Sequence, residues 1–143
     1  MNNLHKILFL FLFFQSSVGM NFGQSITWCN LQWPQTIIIN QGGSGVAYAQ
    51  VYAQGVTDAT GQGAGIQAWI GYSNTDTDPA TWTNWVPATF NVDNGNNDEY
   101  MATIGTGLPS GTYYYASRFQ LNGGAYFYGG FNSGFWNGTT NVS

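Results

Sequence analysis

The side chains that enzymes most often use for catalysis are scarce in this sequence. The one histidine, His5, stands near the start of the chain, and the one cysteine is Cys29. Because no histidine follows, the rest of the chain cannot form the Ser-His and Cys-His pairs or the histidine-based metal sites of many enzymes. The acids that could form a glycosidase-type pair all stand in turn-like segments beside Gly and Asn, where acids usually favour turns and solvation: Asp58, Asp93, Asp98 and Glu99. We therefore predict that this chain is not an enzyme.

Oxygen-bearing side chains in one of these segments could instead hold calcium, which prefers hard oxygen ligands. The candidate ligands are Asp93, Asn97, Asp98 and Glu99. Their spacing matches no established calcium loop, and the Asn94-Gly95 pair already predicts a hairpin turn at this point. We therefore expect no cofactor, and calcium at these four residues is the alternative.

Aromatic side chains are the most prominent chemical feature of the chain beyond residue 23, where it has six Trp, nine Tyr and five Phe. A single core does not need to bury so many rings, so some of them should be exposed. In residues 66–72 (IQAWIGY) apolar side chains alternate along the chain. Because successive side chains of a strand point to opposite faces, this alternation turns Gln67 and Trp69 outward.

The same alternation in residues 113–121 turns Tyr114, Arg118 and Gln120 outward. These two strands are commonly neighbours in immunoglobulin-like sandwiches, so their outward side chains would share one open face. A flat aromatic platform edged with hydrogen-bonding groups suits stacking against a sugar ring. The candidate ligand-binding residues are Trp69, Trp82, Trp85, Tyr114, Arg118 and Gln120. The alternative is that Trp69 is buried, as a strand Trp is in immunoglobulin domains, and that Arg118 only covers a ring.

Charge excludes several classes of partner. Beyond residue 23 the chain carries all six of its acids and a single cation, Arg118. Nucleic-acid binding is excluded because neutralising phosphates needs several cations on one face, and binding to anionic lipid is disfavoured for the same reason. A surface that is hydrated mainly through the uncharged residues Asn, Gln, Ser, Thr and Gly suits uncharged partners. We therefore expect the partner to be a neutral polysaccharide or another extracellular protein.

The N-terminus predicts export. Lys6 is followed by eight uninterrupted apolar residues, 7–14 (ILFLFLFF), and then by a small polar stretch, which is the pattern of a signal peptide. The run is far shorter than the roughly 18 residues of a membrane-spanning helix. We therefore predict a signal peptide at residues 1–23, a single domain at 24–143, no membrane insertion after cleavage, and a secreted or cell-surface location. A lone cysteine forms no internal disulfide, so Cys29 is expected to be a buried small hydrophobe.

The rest of the chain shows short alternating runs between turn-forming clusters, which is typical of a β-sandwich. Residues 36–39 are expected to form a strand after a bend at Pro34. Residues 108–113 (LPSGTY) resemble a tyrosine corner, in which Tyr113 bonds back to the preceding loop. Residues 137–143 offer only Val142 for a closing strand. The predicted fold is all-β, an immunoglobulin or fibronectin III-like antiparallel sandwich without its last strand, and we favour the interpretation that the chain is the front piece of a longer protein.

Several short motifs between residue 28 and the end of the chain stand out as a set: Trp33-Pro34, Gly55-Val56-Thr57-Asp58, Gly61-Gln62-Gly63-Ala64-Gly65-Ile66, Ile70-Gly71-Tyr72, Asn96-Asn97-Asp98-Glu99-Tyr100, Gly111-Thr112-Tyr113 and Arg118-Phe119. Together they resemble an uncharacterised immunoglobulin-like β-sandwich module in large secreted proteins of gliding and predatory bacteria. The resemblance implies a sandwich that has no activity of its own and that occurs in the same proteins as nucleases, anchors and sorting domains.

A second set of residues follows a different pattern: Trp82 and Trp85, residues 100–104 (YMATI), Tyr113-Tyr114-Tyr115, Arg118-Phe119 and Asn122-Gly123-Gly124. Their order is similar to that in starch-binding and amylase N-terminal sandwich modules. The likeness implies a Trp-bearing strand followed by an aromatic strand, and it carries over no individual binding residue.

These observations predict a secreted, non-catalytic β-sandwich accessory module that binds carbohydrate through exposed aromatics. The alternative is a structural spacer or adhesion module of a larger extracellular protein.

Overall fold

A computed structural model describes residues 23–131 and 134–142 of the chain, and within these ranges the protein is all-β. The one helical element is a short 3-10 turn, Pro79–Thr81, and no helix in the described part is long and apolar enough to cross a membrane. The predicted signal peptide falls almost entirely outside the described residues. The strands are β1 (Trp28–Trp33), β2 (Gly45–Tyr52), β3 (Ile66–Ser73), β4 (Asn84–Asn94), β5 (Asn97–Ile104), β6 (Tyr114–Leu121), β7 (Tyr126–Gly130), β8 (Gly134–Phe135) and β9 (Asn141–Val142).

The strands form an antiparallel sandwich in which β4 belongs to both layers. The first layer has the order β1-β2-β5-β4, and the second has the order β4-β3-β6-β7-β8, with β9 also paired to β6. The first half of β4 pairs with β3 and the second half with β5, and the register shifts between Phe90 and Val92. Because β4 passes from one layer to the other, the sheet is nearly closed. The predicted immunoglobulin-like sandwich is confirmed, including the direct pairing of β3 with β6.

One strand prediction needs correction. Thr36 forms only an isolated bridge, and residues 37–40 are irregular, so the expected strand at 36–39 is absent. The apolar side chains there pack without strand pairing, since Ile37 and Ile39 fill the space above Gly45 and Gly105. Val142, the single candidate for a closing strand, lies in the two-residue strand β9, which pairs with β6 at Tyr114 and Tyr115.

The predicted tyrosine corner is confirmed. The hydroxyl of Tyr113 donates to the carbonyl of Pro109 at 3.3 Å, and its ring meets Tyr72 edge-on at a centroid distance of 6.2 Å. This contact fixes the path of the chain into β6. The core between the layers is built from alternate residues of the strands, with Leu31, Ile70 and Phe119 fully buried.

Cys29 is fully buried in this core, as expected of a small hydrophobe. Burial raises the pKa of its thiol, so the side chain stays neutral and unreactive.

Three of the seven motifs that carried the first resemblance meet at one structural junction. Three residue pairs join the loop between β2 and β3 to the β4–β5 hairpin by hydrogen bonds. Thr57 donates to the Asn96 carbonyl at 2.8 Å, Asp93 accepts from the amide of Gly61, and Asp98 accepts from the amide of Gly63 at 2.7 Å. These motifs therefore anchor a loop, which explains their residue types without a ligand.

The open side of the sandwich is closed by a close approach of β1 to β7. The hydroxyl of Ser117 donates to the Asn30 carbonyl at 2.8 Å and lies 3.3 Å from the Gly129 carbonyl. A Cβ at Gly129 would lie 2.4 Å from the Ser117 Oγ and 2.6 Å from the backbone carbon of Asn30. Only glycine leaves room for the two layers to meet here.

We expect Gly129→Ala to destabilise the fold by about 2–3 kcal/mol, because a methyl group would push backbone against backbone at this seam. The matched control is Gly134→Ala on the neighbouring strand, where the nearest atom to an added Cβ is 4.0 Å away. The control should stay within about 0.5 kcal/mol of the wild type. Urea denaturation of both variants measures the difference, and equal stabilities would contradict the described seam.

The second prediction concerns Asp98, which is fully buried. Burial raises the pKa of its carboxyl, the hydrogen bond from Gly63 lowers it, the charge of Asp93 raises it and the Tyr100 hydroxyl lowers it, with a net increase. Because the folded state binds this proton more tightly than the unfolded chain, its stabilising contribution is present at low pH and is lost as pH rises through the raised pKa.

We therefore expect Asp98→Asn to gain stability relative to the wild type as pH rises from about 4, the range in which an ordinary Asp ionises. Asn keeps an acceptor for the Gly63 amide and carries no charge. Denaturant unfolding at a series of pH values measures the change, with the exposed acid substitution Asp58→Asn as the control. A constant difference between Asp98→Asn and wild type at every pH would contradict the assignment.

Candidate functional site

The outward side of the second layer carries a cluster of aromatic rings. In the antiparallel register Trp69 lies opposite Arg118, and Arg118 lies opposite Tyr128. Their neighbours Ile70, Phe119 and Ala68 are buried in the core, so the alternation turns Trp69 and Arg118 to the outside. We call Trp69, Trp85, Arg118, Tyr126 and Tyr128 the aromatic face.

Arg118 is the centre of the aromatic face. Its guanidinium carbon lies 4.7 Å from the ring centroid of Trp69, 4.3 Å from that of Trp85 and 4.3 Å from that of Tyr126. Its Nε is buried and has no hydrogen-bond partner in the described part of the chain. Each cation–π contact of this kind contributes about 0.5–2 kcal/mol, depending on desolvation. The cation is therefore held by the faces of three rings.

The position of Trp85 depends on a glycine in the neighbouring strand. Trp85 lies opposite Gly71, and a Cβ at Gly71 would come within 2.6 Å of the indole ring. The ring thus lies across β3 and reaches Tyr128 on β7, with a centroid distance of 5.8 Å. Its Nε1 donates to the Trp82 carbonyl at 3.0 Å, which fixes the ring plane.

Tyr126 and Tyr128 were missed by the sequence analysis. Tyr126 is 43% exposed and meets Trp69 edge-on, with centroids 5.8 Å apart. The alternation of aromatic side chains in residues 126–128 could have indicated them. Phe127 packs against the core, and because successive side chains of a strand point to opposite faces, Tyr126 and Tyr128 both point outward. This alternation could be used only once residues 126–130 were known to pair with β6.

The other predicted site residues have different surroundings. Trp82 is only 8% exposed, and its Nε1 donates to Thr77, so it supports Trp85 from below at a centroid distance of 6.1 Å. Gln120 shares the outward side, where its amide donates to the Gly124 carbonyl at 2.7 Å. Tyr114 has the same parity as Arg118 but lies four residues away, opposite Ser73. The structure thus brings together Trp69, Trp85 and Arg118, with Trp82 beneath them.

A groove of about 380 Å³ adjoins Trp82 at one end of the sandwich. Its walls carry hydroxyl and amide groups from the segment between β3 and β4, together with the aromatic rings of Tyr72 and Tyr113. None of the side chains that line it is charged. The hydroxyl-bearing residues in its wall are Ser73, Thr75, Thr77, Thr81 and Thr83.

The four candidate calcium ligands are divided between the two faces of the β4–β5 hairpin. Asp98 faces the core, whereas Glu99 faces outward on the first layer, where it accepts from Asn91 at 2.6 Å. Asp93 lies opposite Asp98, but both of its oxygens accept from the amide of Gly61. Asn97 belongs to the same strand as Asp98, with the opposite parity. Within residues 23–131 and 134–142 no three His, Cys, Asp or Glu side chains form a group suited to a metal ion.

Comparison with known proteins gives one partial match to a carbohydrate-active enzyme. No family model matches the chain, and no solved structure matches it. Among curated proteins, an amylopullulanase of Thermoanaerobacter thermohydrosulfuricus is 35% identical over 113 residues, which cover 66% of this chain and 8% of that enzyme. The chain therefore spans a small part of this relative. The match links the chain to a segment of a carbohydrate-active protein and identifies no family.

Proposed function

We propose that this chain is an exported, non-catalytic module that binds a neutral glycan on the aromatic face. The observation that carries the proposal is the group of three ring faces around Arg118 on the outward side of the second layer. Sugar rings present flat C–H faces that stack on aromatic side chains, and their hydroxyls need donors and acceptors at the edge of the ring.

Both kinds of group are available on this face. Tyr126 offers an exposed ring for stacking, and Arg118 carries a planar fork of N–H donors in the middle of the cluster. The rings are held in advance by one another and by the indole hydrogen bond of Trp85, so little ordering is needed when a ligand binds. The uncharged groove beside Trp82 extends the polar surface available to a longer chain.

Charge and relationship both favour a neutral glucan. Six acids against one cation beyond residue 23 repel anionic polymers. The partial relative is an amylopullulanase, named for amylose and pullulan, so these two α-glucans are the first ligands to test.

A second candidate function is a structural spacer or adhesion module of a larger extracellular protein, whose partner is another protein. The burial of Trp82 and the position of Arg118 over three ring faces favour it, because rings that pack on one another have less surface left for a ligand. The two candidates differ in whether removing an exposed ring changes glycan binding.

We expect Tyr126→Ala to weaken binding to pullulan and amylose about tenfold or more, since a lost stacking contact of about 1.4 kcal/mol corresponds to that factor. Tyr126 is the most exposed ring of the face, so its removal should leave the fold intact. Affinity electrophoresis in gels containing each glucan measures the loss. Tyr52→Ala, on the outward side of β2 in the other layer, is the matched control. Unchanged retention of Tyr126→Ala beside a retained wild type would remove the aromatic face as the site, and no retention of any form would favour the spacer.

Arg118→Lys tests whether the planar guanidinium, and not only its charge, is needed. Lysine keeps the charge but loses the fork of donors and the flat surface that packs between rings. We expect about tenfold weaker glucan binding and a loss of about 1 kcal/mol in the free energy of unfolding, comparable with one cation–π contact. Isothermal titration and urea denaturation measure the two effects. Binding as tight as the wild type would contradict a direct role for Arg118.

A further inference from the structure

A second aromatic patch lies on the opposite layer of the sandwich, away from the aromatic face. Trp33 is 61% exposed, and its ring centroid is 6.0 Å from that of Tyr48 with a tilt of 46°. The two residues are paired across β1 and β2, and the buried neighbours Ala47 and Ala49 turn Tyr48 to the outside. We call Gln32, Trp33, Tyr48 and Glu99 the Trp33 patch.

The backbone that carries Trp33 is fixed although its side chain is exposed. The register of β1 shifts between Leu31 and Trp33, and the carbonyl of the next residue, Pro34, accepts a hydrogen bond from the hydroxyl of Tyr115. Tyr115 is fully buried in the second layer. The exposed ring of Trp33 is thus carried by backbone that is already ordered, which lowers the cost of binding a ligand there.

The polar groups beside Trp33 are acceptors. The carboxylate of Glu99 is oriented by the amide of Asn91 at 2.6 Å and by that of Gln50 at 3.4 Å. The Oε1 of Gln32 is buried and accepts no hydrogen bond in the described part of the chain. With Trp33 and Tyr48 these two side chains line a shallow cavity of about 290 Å³.

A ligand that fits this cavity must stack one flat face on Trp33 and donate hydrogen bonds from its edge. A pyranose ring does both, because its C–H face packs on an indole and its hydroxyls can donate to the carboxylate of Glu99. The single arginine of the chain lies on the other layer, so it does not compete for Glu99 at this patch.

From this arrangement we infer that the Trp33 patch is a second binding site for a hydroxyl-rich sugar ring. The choice of ligand class rests on the proposed function. The patch and the aromatic face lie on opposite layers, so both can be occupied at once. One module can then bridge two polysaccharide chains, and its retention on a polymer with many sites exceeds that of either site alone.

Isothermal titration with maltoheptaose and precipitation of soluble pullulan test this inference on the full chain. We expect about two binding sites for the wild type, and one for Trp33→Ala and for Tyr126→Ala. The wild type should precipitate pullulan, whereas Trp33→Ala and Tyr126→Ala should not. Ile38→Ala is the matched control, since Ile38 is an apolar side chain on the following loop with 94% exposure. It should keep both sites.

The possible failures are distinguishable. If Trp33→Ala keeps the stoichiometry and affinity of the wild type, the Trp33 patch is not a site, while the proposed function at the aromatic face stands. If maltoheptaose binds to no form of the protein, the proposed function fails and the inference fails with it. Two aromatic rings beside a carboxylate also suit a quaternary ammonium ion. Displacement of maltoheptaose from the Trp33 patch by tetramethylammonium at equal concentration would assign a cation to it and overturn the inference.

Discussion

The guanidinium of Arg118, held between the faces of Trp69, Trp85 and Tyr126, is the interaction around which the outer surface of the second layer is arranged. A partly buried charge is costly unless other groups stabilise it, and here three aromatic faces do so. That arrangement requires a ring from each side of β6. The position of the Trp85 ring requires glycine at residue 71, because a side chain there would collide with the indole.

The strand pairing of the sandwich decides which side chains reach this surface. The period of two buries Ile70 and Phe119 and exposes Trp69 and Arg118 from the same pair of strands. The same rule in the first layer buries Ala47 and Ala49 and exposes Tyr48 beside Trp33. The close contact of β1 and β7 at Gly129 holds the two layers together, so one small domain presents aromatic groups on two opposite sides.

Sequence alternation predicted the all-β fold, the β3–β6 pairing and the outward direction of Trp69 and Arg118, because these depend on local period and on a common topology. It could not predict contacts that depend on neighbours distant in sequence. The contacts of Arg118 with residues of β4 and β7 are of this kind. Trp85 contacts Arg118 because its ring packs over Gly71, and Tyr126 contacts it because β7 pairs with β6. The burial of Trp82 also depends on packing from the loop after β3. The irregular path of residues 37–40 follows from side-chain packing over Gly45 and Gly105. The local sequence pattern cannot predict this packing, because both glycines are distant in the chain or lie outside the segment.

The most direct test of the central claim is the proton–nitrogen NMR spectrum of the Arg118 side chain, without and with saturating maltoheptaose. The chain has one arginine, so its Nε–H signal needs no assignment by mutation. The account predicts a signal shifted by ring currents from the position of a free arginine, slow exchange with water because Nε is buried, and a further shift when the glucan binds. A signal at the free-arginine position that does not move on addition of maltoheptaose would contradict both the ring-held cation and its role in glycan binding.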